Sequence, residues 1–492
     1  MPPNRANRIT GLLLEVPDDG RALHERLTAA IRGAILTGRL GPGDALPPSR
    51  ALAEELSCSR WVVNEAYGQL VAEGHLTARQ GSGTRVAPDV PARPAVPPAV
   101  PSVRAPSAVV ADLRPGAPDV ARFPAAAWSR ATHHVLMAGG GPDVFPPAEG
   151  VRRLREVVSG YLGRTRGVAV SPEEVVITCG TTHAVGLLAG VLARRSASLL
   201  AVEDPGWRRF DDAAVHAGLA IEPVAVDGEG IDVGRLRRTG PDAVLCSPAH
   251  QFPTGAALSA GRRRALLAWA AERSAVVLED DYDAEFRYDR KPIGALAALD
   301  RDNVAYLGSV SKTLHPGLRM GWMVPPARLR DPVTEALGRS GAGPGVFDQL
   351  ALARLIDAGD YDRHLRRARA LYRERREAVL TALRGHSVIR DAGPVGGIAA
   401  GLHLVLPLPP GHDDRDVADR LERRGVLVMP LSRYARRRLR PALVIGYGRL
   451  SPARAAFAAA EIAAALESRA RSSPRPSSSS AVRIVPPRQG GD

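Results

Sequence analysis

Four short apolar runs constrain this chain most. They are Val175-Val176-Ile177-Thr178, Leu199-Leu200-Ala201-Val202, Ala243-Val244-Leu245-Cys246 and Ala275-Val276-Val277-Leu278. Apolar strands joined by helical crossovers imply a largely parallel sheet, buried on both faces. Sheets of this kind bind ligands beyond the carboxyl ends of their strands. The groups that follow the runs therefore carry the chemistry. They are Gly180-Thr181-Thr182, Glu203-Asp204-Pro205-Gly206-Trp207, the stretch from Ser247 to Gly255, and Glu279-Asp280-Asp281-Tyr282.

A further strand end carries Gly308-Ser309-Val310-Ser311-Lys312. It lies between the apolar runs Val304-Ala305-Tyr306-Leu307 and Met320-Gly321-Trp322-Met323-Val324, with His315-Pro316-Gly317 as a turn. The chain has 66 Lys plus Arg, yet only two are lysines, Lys291 and Lys312. One task is closed to arginine: a guanidinium stays protonated, whereas an amine of lowered pKa forms an imine with an aldehyde. The hydroxyls of Ser309 and Ser311 and the cation of Arg319 can converge on a phosphate. Gly180, Thr181 and Thr182 open a helix whose free amides offer a second phosphate cradle. An aldehyde carrying a phosphate is pyridoxal 5′-phosphate (PLP). Such a cofactor also needs an anion at its ring nitrogen, a donor to its ring oxygen and a flat face to stack on. Asp280, Tyr282 and Trp207 have those chemistries, each at a strand end.

At 492 residues the chain has room for two to four domains. It has no run of about eighteen apolar residues and no start like a signal peptide. Cys58, Cys179 and Cys246 share no metal-like spacing, so a reduced cytoplasmic setting is expected, with no metal and no membrane. The formal net charge is +14, which suits a polyanionic partner. The basic excess is densest in residues 363–376 and 433–440.

Residues 20–87 read as three helices and a hairpin. Ala22, Leu23, Leu27, Ile31, Ile35 and Leu36 repeat at helical spacing up to Gly38. A short helix follows over residues 50–56, and a third over 60–73 with Val63, Ala66, Tyr67 and Leu70 on one face. Strands at residues 75–79 and 84–87 flank Gln80-Gly81-Ser82-Gly83. The stretch LPPSRALAEELSCSRWVVNEAYGQLVAEGHLTARQGSGTRV at 46–86 resembles the GntR-type winged helix-turn-helix. The resemblance implies DNA reading, with the third helix in the major groove and Ser59, Arg60, Trp61 and Asn64 near bases or phosphates. Arg50 would meet phosphate, and Arg79, Gly81 and Ser82 of the wing the neighbouring backbone. Trp61 stands where that family more usually has Thr.

Residues 88–110 are mostly Pro, Ala and Val, which reads as a semi-rigid linker. Residues 111–469 are expected to form an α/β domain. Its helical patterns run from 325 to about 383, and strands are expected at residues 402–406 and 426–429. Residues 470–492 read as a disordered tail. The stretches HQFPTG at 250–255, EDDYDAEFRYDR at 279–290 and GSVSKTLHPGLRMGWMVPP at 308–326 resemble the fold-type I aminotransferases. With the head and linker, the whole resembles the MocR/GabR group of regulators. The architecture implied is multidomain: a winged helix-turn-helix followed by a fold-type I PLP-dependent aminotransferase-like domain.

The resemblance further implies a homodimer that binds an operator of direct repeats or a palindrome. Its effector would be an amine, an amino acid or PLP itself. The second reading is an aminotransferase with an accessory DNA-binding head. Two departures stand out. Phe252 occupies the position before Pro-Thr-Gly where many aminotransferases have Asn. Val444 and Ile445 precede Gly446-Tyr447, where many have the arginine for a substrate carboxylate. Arg433 and Arg449 are the nearby substitutes for holding an effector carboxylate.

Overall fold

The computed structural model describes residues 7–9, 12–14, 16–79, 83–89, 109–139, 146–289 and 293–467. The chain divides into two compact units, residues 1–106 and 107–492.

In the first unit, helices Leu23–Leu36 (α1), Ser49–Glu55 (α2) and Arg60–Ala72 (α3) enclose a small core. Leu27, Ile31 and Ile35 of α1 sit four residues apart and are buried against Leu52, Val63, Ala66 and Leu70. Gly38 and Gly74 follow α1 and α3 at φ +76° and +77°, where a side chain would be strained. The hydroxyl of Tyr67 donates to the Pro47 carbonyl at 2.9 Å and ties α3 to the turn before α2. Strands Leu76–Arg79 (β1) and Gly83–Val86 (β2) pair antiparallel, Leu76 opposite Val86. Gln80, Gly81 and Ser82 lie outside the described residues.

The second unit is built on an eight-stranded sheet. Its strands are Val176–Thr178 (β3), Leu199–Asp204 (β4), Ala220–Asp227 (β5), Gly230–Ile231 (β6), Ala243–Cys246 (β7), Val276–Asp281 (β8), Val304–Ser309 (β9) and Gly321–Val324 (β10). Their spatial order is β3-β10-β9-β8-β7-β4-β5-β6. The pairs β4 with β5, β4 with β7, β7 with β8 and β8 with β9 are parallel. Strand β10 runs antiparallel to both β9 and β3, and β6 turns back on β5. Alternate residues of the central strands feed two cores, one on each face: Val244, Val277 and Tyr306 on one, Leu245, Leu278 and Leu307 on the other. The four apolar runs thus lie inside one buried, largely parallel sheet.

Two features differ from the sequence reading. Strand β8 continues past Leu278 through Glu279, Asp280 and Asp281, all buried. Neighbouring strands and buried partners hold these carboxylates: the amides of Leu296 and Ala297 donate to Glu279 at 2.8 and 2.9 Å. The strand expected at 426–429 is two short pieces, Val426–Leu427 and Met429–Pro430. The first pairs with Ala111–Asp112, and the second joins His403–Pro407 and Ala442–Gly446 in a three-stranded sheet. The helical region after 325 is Ala327–Ser340, Val346–Asp357 and the 25-residue Asp360–Arg384. Residues 90–108 and 468–492, most of the expected linker and all of the expected tail, lie outside the described residues.

Candidate functional site

One cavity opens at the carboxyl ends of the sheet strands. Its lining includes Thr181, Thr182, Trp207, Asp280, Tyr282, Ser309, Ser311, Lys312 and Arg319. These are the nine residues that the sequence assigned to a cofactor. They come from five segments up to 138 positions apart, the span from Thr181 to Arg319, and share a site because parallel strands end at one sheet edge.

Lys312 follows β9, and its amine donates to the Gly116 carbonyl at 2.5 Å. Burial holds the amine below its usual pKa, against the opposing pull of Asp283 and Asp280, while the cation of Arg449 adds to the depression. Gly116 sits at φ +73°, and a Cβ there would come 3.2 Å from Nζ. The carbonyl that steadies the amine therefore comes from a residue where a side chain would strain the backbone and crowd the amine. Gly308 is required too, since a Cβ would meet Trp322 Nε1 at 2.3 Å.

Asp280 is 5% exposed and its Oδ1 is buried without a hydrogen-bond partner among the described residues. Burial pushes its pKa up to about 8, helped by Asp281 and Asp283 and opposed by Lys312. Glu203, at the end of β4, also faces the cavity, and burial raises it to about 8. It accepts from the Ser247 amide at 3.2 Å and the Gln251 side chain at 3.3 Å.

The phosphate-cradle groups lie on two elements. Helix Thr181–Arg194 (α4) starts after Gly180, whose φ of +97° turns the chain off β3. Its first residues, Thr181 and Thr182, line the cavity at the helix end where backbone amides lack intrahelical acceptors. On the other side the Ser309 hydroxyl donates to Ser311 Oγ at 2.9 Å and takes the Ser311 amide at 3.1 Å. Arg319 is exposed at φ +48°, a conformation non-glycine residues seldom adopt. Trp207 is 39% exposed, stacks on Tyr434 at a centroid distance of 6.2 Å, and meets Phe252 edge-on at 5.4 Å.

Neither candidate effector arginine lines the Lys312 cavity. Arg433 lines a separate cavity with Arg114, Arg415 and Glu422, and is not among the residues lining the Lys312 cavity. Arg449 pairs with Asp112 at 2.9 Å. Arg209, which the sequence reading passed over, lines the Lys312 cavity directly. It lies two positions after Trp207, in the first turn of the helix Arg208–His216 that follows the strand-end segment.

In the first unit Arg50, Ser59, Arg60, Trp61, Asn64 and Arg79 are all exposed. Trp61 is 60% exposed and touches His24 edge-on at 5.4 Å. Arg50 makes one helical ion pair, to Glu54 at 3.2 Å. Ser59 precedes α3 without capping it, which leaves its hydroxyl unspent on the helix. Among the described residues, no helix is long and apolar enough to cross a membrane.

A winged-helix head on a fold-type I sheet with a strand-end lysine defines a DNA-binding regulator on an aminotransferase scaffold. Known proteins agree. Residues 23–86 match the bacterial regulatory proteins of the gntR family, and residues 110–467 match the class I and II aminotransferases. The chain belongs to the HTH-type transcriptional regulators of the MocR kind, in which these two domains are fused. It is 31% identical over 483 residues to the probable rhizopine catabolism regulatory protein MocR of Rhizobium meliloti, covering 92% of this chain and 97% of that one. It is 34% identical over 422 residues to the pyridoxine biosynthesis transcriptional regulator PdxR of Corynebacterium glutamicum, covering 85% and 90%. An archaeal alanine:glyoxylate aminotransferase is similar in structure, with a TM-score of 0.66 and 26% identity over 74% of this chain and 91% of that one.

Proposed function

We propose that this regulator holds PLP at Lys312, senses an amine, an amino acid or PLP itself there, and acts on operator DNA as a homodimer. One observation carries the reading: an amine of lowered pKa and a buried carboxyl with an unpartnered oxygen line the same cavity. Each is costly alone, and each has a partner on this cofactor.

When bound, PLP supplies an aldehyde that reacts reversibly with amines. The chain's own residues would do the rest. Lys312, its pKa lowered by burial, offers a nucleophilic amine. Asp280 would ionise against a protonated ring nitrogen, and its Oδ1 would gain the partner it lacks. Thr181, Thr182, Ser309, Ser311 and Arg319 would hold the phosphate, with α4 adding its positive end. Trp207 would cover one ring face, and Tyr282 would donate to the ring oxygen. An effector amine would compete with Lys312 and shift a two-state dimer, and the heads would read the shift on DNA. Arg209, which lines the cavity, would meet an effector anion there; Arg433 and Arg449, which the sequence offered for that role, do not line it.

Footprinting on the DNA upstream of its own gene, with and without PLP, tests the regulatory reading. A footprint that changes with PLP is expected; an unchanged one would sink the sensing role. Turnover with a panel of amino donors separates the second reading: multiple turnovers at metabolic rates would make it an aminotransferase.

A further inference from the structure

Phe252, where many aminotransferases place Asn, packs on Leu431, Tyr434, Ala442 and Val444 and has no polar group to offer a ring oxygen. Two positions earlier, His250 is 3% exposed, and it is polar. Its Nδ1 lies 2.9 and 3.2 Å from the two carboxylate oxygens of Asp283, and 3.2 Å from the Tyr282 hydroxyl. A carboxylate only accepts, so Nδ1 carries the proton. The phenolic oxygen beside that N–H accepts from it, which leaves Asp283 and the cavity as the two partners open to the phenol's own O–H. Tyr282 lines that cavity. Asp283 is also a hydrogen-bond partner of the phenol and competes for its proton. The imidazole N–H, lying within reach of both Asp283 oxygens, opposes that competition, and without it the carboxylate would hold the phenolic proton.

The surroundings fix His250 closely. Gly401 is at φ +68°, and a Cβ there would fall 2.1 Å from His250 Cε1 and 2.6 Å from Asp283 Oδ2. The His403 ring lies 4.9 Å from the His250 ring, anchored by a 3.1 Å hydrogen bond from Nε2 to the Pro253 carbonyl. His250 Nε2 is buried without a partner among the described residues, so Asp283 and Tyr282 alone hold the ring by polar contact.

We infer that His250 is the positioning residue for Tyr282, directing the phenolic proton into the cavity and replacing the function of the absent Asn. This rests on the proposed PLP site, where Tyr282 donates to the ring oxygen.

The test uses the full chain loaded with PLP and reads the pH midpoint of the bound cofactor's absorbance change. Tyr282→Phe should raise the midpoint by about one pH unit, the loss of one donor to the charged form. His250→Leu should raise it by a similar amount, and the double variant no further than either single one. His250→Asn places an amide N–H where Nδ1 stands and should restore the wild-type midpoint. The inference is overturned if His250→Leu titrates like wild type while Tyr282→Phe does not. It is equally overturned if His250→Asn moves as far as Tyr282→Phe, a comparison that holds even should the Leu variant fail to fold. A stoichiometric divalent metal on His250, Asp283 and His403 would also overturn it, by taking the carboxylate. A wild-type chain that takes up no PLP fails differently: the cofactor site itself is then wrong, and this inference falls with it.

Discussion

Arg166 Nε donates to Asp281 at 2.6 Å with both side chains almost wholly buried, while Asp280, one residue earlier, faces the cavity. Successive residues of a strand point to opposite faces, so β8 separates a core ion pair from a site carboxyl. Tyr306 adds a 2.7 Å hydrogen bond to the same Asp281 oxygen. The two acids should respond oppositely to substitution. Arg166→Met leaves a buried carboxylate unpaired and should cost roughly 3–5 kcal/mol in urea unfolding. Asp280→Asn should keep the fold but weaken PLP binding and change its spectrum, since the ring nitrogen loses its anion. A spectral titration decides: if Asp280→Asn matches wild type in both, another residue holds that role.

Lys312→Ala should lose the covalent link to PLP, and Lys291→Ala should retain it. The reason is position: Lys312 shares a cavity with the cradle and Asp280. Lys291 lies outside the described residues. Borohydride trapping followed by peptide mapping reads this directly. Label on Lys291 would remove Lys312 from the site.

The unliganded protein should also carry a pH signature from Glu203. Burial raises its pKa from 4.5 to about 8, so the fold favours the protonated form. That contribution to stability is fully present below pH 4.5 and is lost as pH rises to about 8. The slope reaches at most about 1.4 kcal/mol per pH unit for one proton. Glu203→Gln keeps the shape without the proton, so its stability relative to wild type should rise across this window. Urea titrations at several pH values give the comparison; parallel curves would mean that Glu203 is ionised at little cost.

The sheet and the cavity lining were legible because apolar runs and strand-end polar groups are local signals. The three head helices were legible from spacing alone, as with Leu27, Ile31 and Ile35. Strand β5 was not: half-buried at the sheet side and mixed in composition, it carries neither alternation nor an apolar run. The Gly116 carbonyl was invisible because it lies 196 positions from Lys312 and a backbone group leaves no mark in composition. The His250, Asp283 and His403 group was hidden by distance too, His403 being 150 positions from the Pro253 carbonyl it meets. Arg433 and Arg449 were chosen by closeness in sequence to Gly446-Tyr447, and neighbours in sequence diverge where strands end.

Arg60 opens α3 on the exposed face of the head, with Ser59, Trp61 and Asn64 beside it. Placed in a major groove, such a face puts its first turn against bases or phosphates. Arg60→Ala should therefore weaken DNA binding by roughly 1–3 kcal/mol. PLP content should not change, since Arg60 and the Lys312 cavity belong to different compact units. Affinity should fall steeply with added salt, because each neutralised phosphate releases counterions. Loss of Arg50 and Arg79 together should weaken binding across all sequences and flatten the salt slope, the mark of phosphate contacts. A salt-titrated binding assay separates these cases. Undiminished binding by both variants would argue against the head as the DNA-binding element. So would full affinity in a chain lacking residues 1–110, which would move the contact to the arginine-rich second unit.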